Sequence, residues 1–265
     1  MIQRNLEILW NREAGPDYYR IGLKCHGGYG RAKPGQFIMM RLSEQNDPLL
    51  RRPFSIHRLV VNRGRTEGIE VLYKAVGKGT LKLTTFKPGD DVDVLGPLGS
   101  AFILPGNARH IFIVAGGIGV APMVFLASFL MEKGADPSCC QVFLGGKTRG
   151  DLLCVDDFSH LGMSVHTATD DGSAGDQCLV THPVELALQD AKPDIIYACG
   201  PLEMLQCVLG ITEKYDVPCQ ISLETRMACG LGACLGCAVA RRDESSHYLH
   251  ACLDGPVFDT REIIL

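Results

Sequence analysis

Four cysteines near the end of this 265-residue chain limit most strongly what its last segment can fold into. Cys229, Cys234, Cys237 and Cys252 have the spacing C-x4-C-x2-C-x14-C and fall within 24 residues. Thiols this close together, with glycines between them, are typical of a loop that wraps a compact metal group. Because the chain holds 12 cysteines, a disulfide framework and ordinary buried thiols are the alternatives.

The spacing of these cysteines matches the plant-type pattern of [2Fe–2S] sites. Gly230, Gly232 and Gly236 permit the backbone turns that such a loop needs, and they leave N–H groups free to point at sulfur. Structural zinc is the rival, but zinc ribbons bring paired C-x2-C knuckles and only Cys234 and Cys237 form one here. A Rieske centre needs two histidines in a C-x-H spacing that is absent. The pattern therefore favours an iron–sulfur cluster.

Composition limits the other possibilities. The chain is 46% hydrophobic and 21% charged, with a formal net charge of -4 and no basic block, so we expect a globular protein that does not bind nucleic acid. We see no secretory signal at the N-terminus, and the longest apolar run, GVAPMVFLASFLM, is too short to span a membrane. We therefore expect a cytoplasmic protein without membrane contact, whose thiols stay reduced.

The organisation of the chain changes twice along its length. Residues 1–103 contain short apolar segments such as YYRIGLKC, GQFIMMRL and GIEVLYKAV, separated by turn residues, which predicts an antiparallel β-barrel. Residues 104–220 alternate strand-like segments with helical ones, which predicts a parallel, Rossmann-like sheet. Residues 221–265 resemble neither pattern and form a small cysteine-bearing domain. The predicted fold class is thus a β-barrel, an α/β domain and a small C-terminal domain.

Two glycine turns in the second segment predict a dinucleotide site. The segment HIFIVAGGIGVAPM places Gly116, Gly117 and Gly119 between a strand and a helix, where glycine lets the backbone approach a phosphate. Pro122 suits the first turn of that helix, and Gly134 its C-cap. The pattern departs from G-x-G-x-x-G at its last position. A second strand ends in Cys199-Gly200-Pro201 and would bring a further turn to the same edge of the sheet.

The barrel segment holds two further candidate elements. In LLRRPFSIHRL an arginine can grip a phosphate and Ser55 can hydrogen-bond a ring, although a solvated pair, Arg51 and Arg52, is the alternative. In YKAVGKGT the glycines and Thr80 form either a phosphate-binding turn or a helix start capped by Thr80.

Together RRPFS, YKAVGKGT, GPLGSAF, GGIGVAPM, CGP and the cysteine run resemble the ferredoxin–NADP reductase superfamily, over essentially the whole chain. Within it the sequence is most similar to the electron-transfer subunits of two-subunit, NAD-dependent (class 1B) dihydroorotate dehydrogenases. The tail SLETRMACGLGACLGCAV is the most specific part of this resemblance. The segment TDDGS around Asp171 is also similar to a loop of the NAD domain.

The resemblance implies three cofactors and assigns residues to each. FAD would be held by Arg52, Pro53, Phe54, Ser55, Leu72, Tyr73, Lys74, Gly79 and Thr80. NAD would be held by Gly116, Gly117, Gly119, Pro122, Cys199, Gly200 and Pro201. The [2Fe–2S] cluster would be ligated by Cys229, Cys234, Cys237 and Cys252. No side chain is expected to act as a catalytic acid or base, because hydride transfer needs none.

The implied function is electron transfer between NAD and a partner, in pyrimidine biosynthesis. The partner would be an FMN-containing dihydroorotate dehydrogenase catalytic subunit, in a heterotetramer with two copies of each chain. The chain alone would not oxidise dihydroorotate. One alternative is a subunit of another complex, of the transhydrogenase or sulfide dehydrogenase type, and another is a zinc-stabilised binding module. The choice of NAD or NADP stays open, since Lys147 and Arg149 can neutralise a 2′-phosphate or lie in solvent.

Overall fold

The chain folds into three sheets and five α-helices in the part that the computed structural model describes, residues 2–25, 27–43, 47–106, 108–243 and 247–265. Two of these sheets have seven strands and the third has three. No helix of the described residues has the length and apolar character needed to cross a membrane.

The first sheet is built entirely from the first segment. It contains β1 (Ile2–Gly15), β2 (Tyr18–Lys24), β3 (Phe37–Arg41), β4 (Arg52–Ser55), β5 (Arg58–Asn62), β6 (Arg65–Lys74) and β7 (Asp91–Leu98), with helix α1 (Lys78–Leu83) between the last two. The strand order is β4-β3-β7-β1-β2-β6-β5, and all neighbours are antiparallel. Only Ile56 and His57 separate the two edge strands in the chain. The sheet therefore curves until its edges approach each other, as in a barrel.

The second sheet and its helices follow the expected alternation. The strands are β8 (Ile111–Gly116), β9 (Cys140–Gly146), β10 (Ser164–Thr169), β11 (Asp176–Gln177), β12 (Ile195–Cys199) and β13 (Cys219–Ser222). The helices are α2 (Val120–Glu132), α3 (Val155–His160), α4 (Thr181–Asp190) and α5 (Leu202–Tyr215). The strand order is β11-β10-β9-β8-β12-β13 and every pair is parallel. All six residues of β8 are buried, as expected for a central strand covered on both faces.

Helix α2 begins where the sequence predicts and ends within one residue of the predicted cap. Pro122 lies in its first turn, where a missing N–H costs no hydrogen bond. Lys133 is its C-cap, one residue before the predicted one; Gly134 follows with φ +84° and donates its N–H to the Met131 carbonyl at 3.0 Å, so the glycine ends the helix from the position after the cap.

The cysteine-bearing segment is joined to the second sheet. It contains β14 (Ala238–Arg241), β15 (Leu249–His250), β16 (Val257–Asp259) and β17 (Ile263–Ile264). Strands β15, β14 and β17 form the small third sheet, whereas β16 pairs antiparallel with β13 as the seventh strand of the second sheet. Two of the four cysteines, Cys237 and Cys252, lie in one apolar core with Phe37 and Met39 of β3. The cluster segment thus packs against both other parts of the molecule.

These observations confirm the predicted fold class: an antiparallel β domain, a parallel-sheet α/β domain and a small C-terminal segment. The predicted boundaries at residues 103 and 220 remain a proposal.

Candidate functional site

A cleft of about 960 Å³ lies between the first two sheets and the cysteine segment. This volume is at the upper end for small-molecule sites, which suits a large cofactor. All sixteen residues that the sequence assigns to FAD or NAD line this cleft: Arg52, Pro53, Phe54, Ser55, Leu72, Tyr73, Lys74, Gly79, Thr80, Gly116, Gly117, Gly119, Pro122, Cys199, Gly200 and Pro201. Residues from 52 to 201 thus converge on one space, although which of them contact a ligand stays a prediction.

The two glycine turns lie directly against each other. A Cβ added to Gly119 would lie 2.3 Å from the Cys199 carbonyl oxygen, and one added to Gly116 would lie 2.7 Å from the Met204 sulfur. Gly117 has φ +52°, a conformation that other residues adopt at a cost. The turns meet because β8 and β12 are parallel neighbours, so their carboxyl ends share one edge of the sheet. Any side chain at Gly119 would separate them.

The two arginines of the RRPFS segment have different roles. Arg51 forms an ion pair with Asp93 of β7 and also donates to the Asp93 carbonyl at 3.0 Å. Arg52 donates to the Leu50 carbonyl at 2.8 Å and lines the cleft, and no described carboxylate pairs with it. Arg52 is therefore the arginine available to an anionic ligand.

Lys74 is held by groups that the sequence did not suggest. Its Nζ lies 3.1 Å from Asp151 Oδ1, and the Tyr18 hydroxyl donates to the same oxygen at 2.6 Å. The pKa of Tyr18 is raised by burial, and that of Lys74 is raised by its contact with Tyr18. Tyr18 and Asp151 both line the cleft. This triad joins the barrel to the α/β domain, and residues so distant in the chain give no local signal of it.

Thr80 lies inside the helix that the sequence expected it to cap. Helix α1 begins at Lys78, so Thr80 is its third residue. Its hydroxyl accepts hydrogen bonds from the backbone N–H groups of Val76 at 2.9 Å and Gly77 at 3.1 Å. Thr80 therefore stabilises the start of the helix from within.

Lys147 and Arg149, which could neutralise a 2′-phosphate or lie in solvent, have different surroundings in the loop after β9. Lys147 lines the cleft, whereas Arg149 donates through Nε to the Ser173 carbonyl at 3.2 Å. Asp171 accepts from the Ser173 hydroxyl at 2.6 Å and from the Ser173 backbone N–H at 2.9 Å, and these two hydrogen bonds lower the pKa of Asp171. Asp171 thus fixes its own loop, while the preceding residue, Asp170, lines the cleft.

Four residues that precede the cysteines in the chain line the cleft, although the sequence did not predict them. Ser222, Glu224, Thr225 and Met227 line the cleft. The Thr225 hydroxyl is shielded from solvent and has no hydrogen-bond partner among the described residues. A buried hydroxyl without a partner costs free energy, so this atom is suited to a ligand in the cleft. Burial raises the pKa of Cys199, which pairs with Ser222 in the ladder of β12 and β13, to about 12, so it remains a thiol.

The four predicted metal ligands converge in two pairs. The side chain of Cys229 contacts that of Cys234, and the side chain of Cys252 contacts that of Cys237. Cys237 and Cys252 are buried, whereas Cys234 is exposed and Cys229 is half-buried. One pair therefore lies inside the protein and the other lies near its surface.

Backbone N–H groups point at these sulfurs, as the sequence predicts. Cys229 Sγ accepts from Leu231 at 3.3 Å and from Cys234 at 3.4 Å, and Cys252 Sγ accepts from Gly232 at 3.2 Å. Burial raises the pKa of Cys229, but the N–H donors outweigh it and lower that pKa to about 7. Such donors stabilise a thiolate, which is the form that binds metal.

The turns of the cysteine loop differ from the prediction at one position. Gly230 and Gly232 have φ +70° and +75°, as expected, but Gly236 does not adopt positive φ. Leu235 does so instead, with φ +58°, and its side chain is exposed. A leucine in this conformation is strained by about 1 kcal/mol or more. The loop thus accepts backbone strain to present its sulfurs.

The pairing of the sulfurs favours iron–sulfur over zinc. A tetrahedral zinc site with Zn–S bonds of about 2.3 Å places all four sulfurs about 3.8 Å apart. No three of these four sulfurs, all of them in the described part of the chain, lie within 4.8 Å of one another. A two-iron cluster divides its ligands into two pairs, one for each iron. The geometry therefore fits a [2Fe–2S] cluster.

Comparison with known families agrees with this site. Residues 224–264 match the model described as the iron-sulfur cluster binding domain of dihydroorotate dehydrogenase B, and residues 113–209 match the oxidoreductase NAD-binding domain. A solved structure of an NADH-dependent reduced ferredoxin-NADP oxidoreductase superposes with a TM-score of 0.83 at 29% identity, over 98% of this chain and 89% of that chain. A ferredoxin reductase in carbazole 1,9a-dioxygenase shares the fold at 22% identity with a TM-score of 0.69, over 82% of this chain and 66% of that one.

Two curated relatives cover nearly the whole chain. A protein of Desulforamulus reducens is 41% identical over 88% of this chain and 87% of its own length. A protein of Caldanaerobacter subterraneus subsp. tengcongensis is 39% identical over 97% of this chain and 96% of its own length. Both are named as dihydroorotate dehydrogenase B (NAD(+)), electron transfer subunit. The cleft of this chain is lined by two glycine turns and its four cysteines form two pairs, and the chain belongs to this family of electron transfer subunits.

Proposed function

We propose that the chain carries electrons between NAD and the FMN of a separate dihydroorotate dehydrogenase catalytic subunit, through FAD and a [2Fe–2S] cluster. The observation that carries this proposal is the continuity of the cleft wall with the cysteine loop. Thr225 and Met227 line the cleft, and Cys229 follows two residues later. Since an extended chain spans at most about 3.6 Å per residue, Thr225 and Cys229 are within about 14 Å of each other.

The residues of the cleft suit a flavin and a dinucleotide. Arg52 offers a guanidinium to phosphate, and Ser55 and Thr225 offer hydroxyl groups to polar ring atoms. The turns at Gly116–Gly119 and Cys199–Pro201 bring bare backbone to the cleft. When bound, nicotinamide and flavin exchange electrons in pairs as hydride, and the cluster passes them singly. The role of the chain is to bind and orient these groups and to exclude water.

The surface around the cysteine loop suits a protein partner. Leu231, Leu235 and Leu253 are exposed by 42%, 58% and 63%, and a Cβ at Gly232 would lie 3.2 Å from Leu253. Apolar side chains around an exposed cysteine pair can pack against another subunit and keep water from the cluster. We propose that the partner is the FMN-containing catalytic subunit and that two copies of each chain form a heterotetramer.

The similarity to the ferredoxin-NADP oxidoreductase supports a second candidate, a subunit of another electron-transfer complex. The partner distinguishes the two. Mixed with the catalytic subunit, the chain should form a complex with the mass of two copies of each and should reduce NAD+ when given dihydroorotate. A complex that forms only with another NAD(P)H-dependent subunit would overturn the first proposal.

Metal analysis tests the cluster independently of the partner. Protein purified without oxygen should contain iron and acid-labile sulfide in equal amounts, with about two of each per chain. It should also show flavin absorbance. Zinc in place of iron and sulfide would contradict the proposed function and favour a structural binding module.

A further inference from the structure

A buried histidine links the strand assigned to the flavin with the turn assigned to nicotinamide. His57 follows Ser55 by two residues and is fully shielded from solvent. Its Nδ1 lies 2.8 Å from the carbonyl oxygen of Ala121, in the first turn of α2. Ala121 itself lines the cleft, between Gly119 and Pro122. A single side chain therefore spans the two walls between which the cofactors would meet.

The contacts of His57 fix which nitrogen carries the proton. The Ala121 carbonyl can only accept, so Nδ1 must donate to it. Nε2 lies 3.1 Å from Arg58 Nη2, which can only donate, so Nε2 must accept. Burial and the Arg58 charge lower the pKa of His57 to about 3, which keeps the ring neutral. One tautomer of the neutral ring satisfies both contacts.

The groups around His57 hold the ring in place. Arg58 also contacts Glu70 Oε1 at 3.2 Å and Asp157 Oδ1 at 3.1 Å, and Arg20 contacts Asp157 Oδ2 at 2.6 Å. Glu70 accepts from Trp10 Nε1 at 3.1 Å and remains 3.9 Å from the imidazole. Asp157 belongs to α3, so these contacts join the barrel to the α/β domain next to His57.

The same cluster does not suit a metal ion. His57, Cys154 and Asp157 have ligand atoms within 4.8 Å of one another, which is a spacing that a cation could use. Arg20, however, donates to Cys154 Sγ at 3.3 Å, and Arg58 donates to both His57 and Asp157. Two guanidinium groups already occupy the positions where a cation would lie. The cluster is therefore a set of contacts between domains.

We infer that His57 is a positioning residue for electron transfer in the proposed function: its Nδ1–H···O=C bond to Ala121 fixes the glycine turn relative to the flavin strand. Hydride transfer depends steeply on the separation of the reacting atoms, and a displacement of about 1 Å can reduce the rate about 100-fold. Phe125, one turn further along α2, is buried in the barrel core. Its apolar contacts hold α2 against the barrel but, being non-directional, do not fix the position of the glycine turn. The directional hydrogen bond from His57 to the Ala121 carbonyl fixes that position.

Two polar variants of similar size distinguish the effect of the hydrogen bond from the effect of filling the space of the ring. In His57→Asn the amide N–H can take the place of Nδ1–H, whereas in His57→Gln the amide group lies near the position of Nε2. With NADH as donor and ferricyanide as acceptor, we expect His57→Asn to keep kcat within about threefold of the wild type. We expect His57→Gln and His57→Leu to lose about tenfold or more in kcat, with a smaller change in KM.

Measurements other than turnover complete the test. FAD content and the dissociation constant for NAD+, from quenching of flavin fluorescence, should stay within about twofold in all three variants. Amide exchange over residues 116–124 should rise in His57→Gln and not in His57→Asn. Equal losses of kcat in His57→Asn and His57→Gln, or a normal kcat in His57→Gln, would overturn the inference. A wild-type chain without FAD or NADH oxidation would instead overturn the proposed function, so the two failures are distinguishable.

Discussion

The cleft and the cysteine loop achieve preorganisation in opposite ways. The cleft is shaped by packed backbone: Gly119 lies against the Cys199 carbonyl, and Asp151 is held from two sides by Tyr18 and Lys74. In the loop, the Cys229 sulfur accepts from backbone N–H groups of the loop itself, and Leu235 adopts a strained conformation. Contacts between distant segments thus hold the cleft, whereas hydrogen bonds within the cysteine segment hold the sulfurs. Damage to one region should therefore leave the other largely intact.

The largest effect is expected for Cys234→Ala. The side chain is exposed, so its loss should not disturb the core, but one iron would lack a ligand. We expect the iron–sulfur absorbance and the acid-labile sulfide to disappear, while NADH still reduces the bound flavin. Cys139→Ala, outside the loop and the cleft, should keep both. Retained cluster absorbance in Cys234→Ala would show that Cys234 is not a ligand.

The next effect tests the cleft with a matched pair of arginines. Arg52→Ala removes the guanidinium that faces the cleft, and the loss of a charge-assisted hydrogen bond of about 1.5–3 kcal/mol should weaken FAD binding about 10- to 150-fold. Arg51→Ala removes only the ion pair with Asp93 and should retain FAD. FAD content after gel filtration measures both. Equal flavin loss in the two variants would contradict the distinct roles of these arginines.

A methyl group at Gly119 tests how closely the two turns must approach. Gly119→Ala forces Cβ against the Cys199 carbonyl and should reduce the free energy of unfolding by about 1–3 kcal/mol, together with the affinity for NAD+. Gly210→Ala, in helix α5 where a Cβ meets nothing within 4 Å, should instead stabilise the protein by about 0.5–1 kcal/mol. Urea unfolding and NAD+ titration would measure these effects. Normal NAD+ binding in Gly119→Ala would place the dinucleotide elsewhere.

The ion pairs between the domains predict a dependence on pH. Burial raises the pKa of Asp157, but Arg58 and Arg20 outweigh it and lower the pKa from 3.8 to about 2. Because the folded-state pKa is the lower one, the stabilisation is present above about pH 4 and is lost as the pH falls towards 2. Allowing for partial exposure, it amounts to about 1–2 kcal/mol. Between pH 5 and 3 the urea midpoint of Asp157→Asn should fall less than that of the wild type. An equal fall in both proteins would show that Asp157 does not contribute to the pH dependence.

The smallest effect concerns the loop. Leu235→Gly relieves the strain at φ +58° and should stabilise the metal-free protein by up to about 1 kcal/mol, because the greater freedom of glycine in the unfolded chain offsets part of the gain. The cluster absorbance should be retained. Thermal unfolding of the metal-free protein measures the change, and a loss of stability would mean that the leucine side chain has a packing role in the loop.

Local patterns predicted much of this molecule because the relevant signals lie close together in the chain. Glycines after apolar strands predicted the two turns, and the strand alternation predicted that they share an edge. The cysteine spacing predicted four converging thiols. The ion pairs of Asp151 and Asp157 with the barrel left no such signal, because their partners are 77 to 137 residues away. The positive φ of Leu235 was not predicted either, because the neighbouring glycines are the residues that usually adopt this conformation.

The pairing of β13 with β16 has a consequence for how this chain can change. Ser222 and Val257 face each other in the ladder, so the 34 residues between them leave the α/β domain and return to it at adjacent points. Such an excursion is topologically an insertion, and the entropy of closing it grows only slowly with its length. Residues added at its exposed positions would therefore leave both flanking strands in place, whereas its removal would uncover the core that Cys237 and Cys252 share with Phe37 and Met39 and would leave β17 without its partner β14. The cysteine segment can thus vary in length at its surface, while its buried half stays part of the common core.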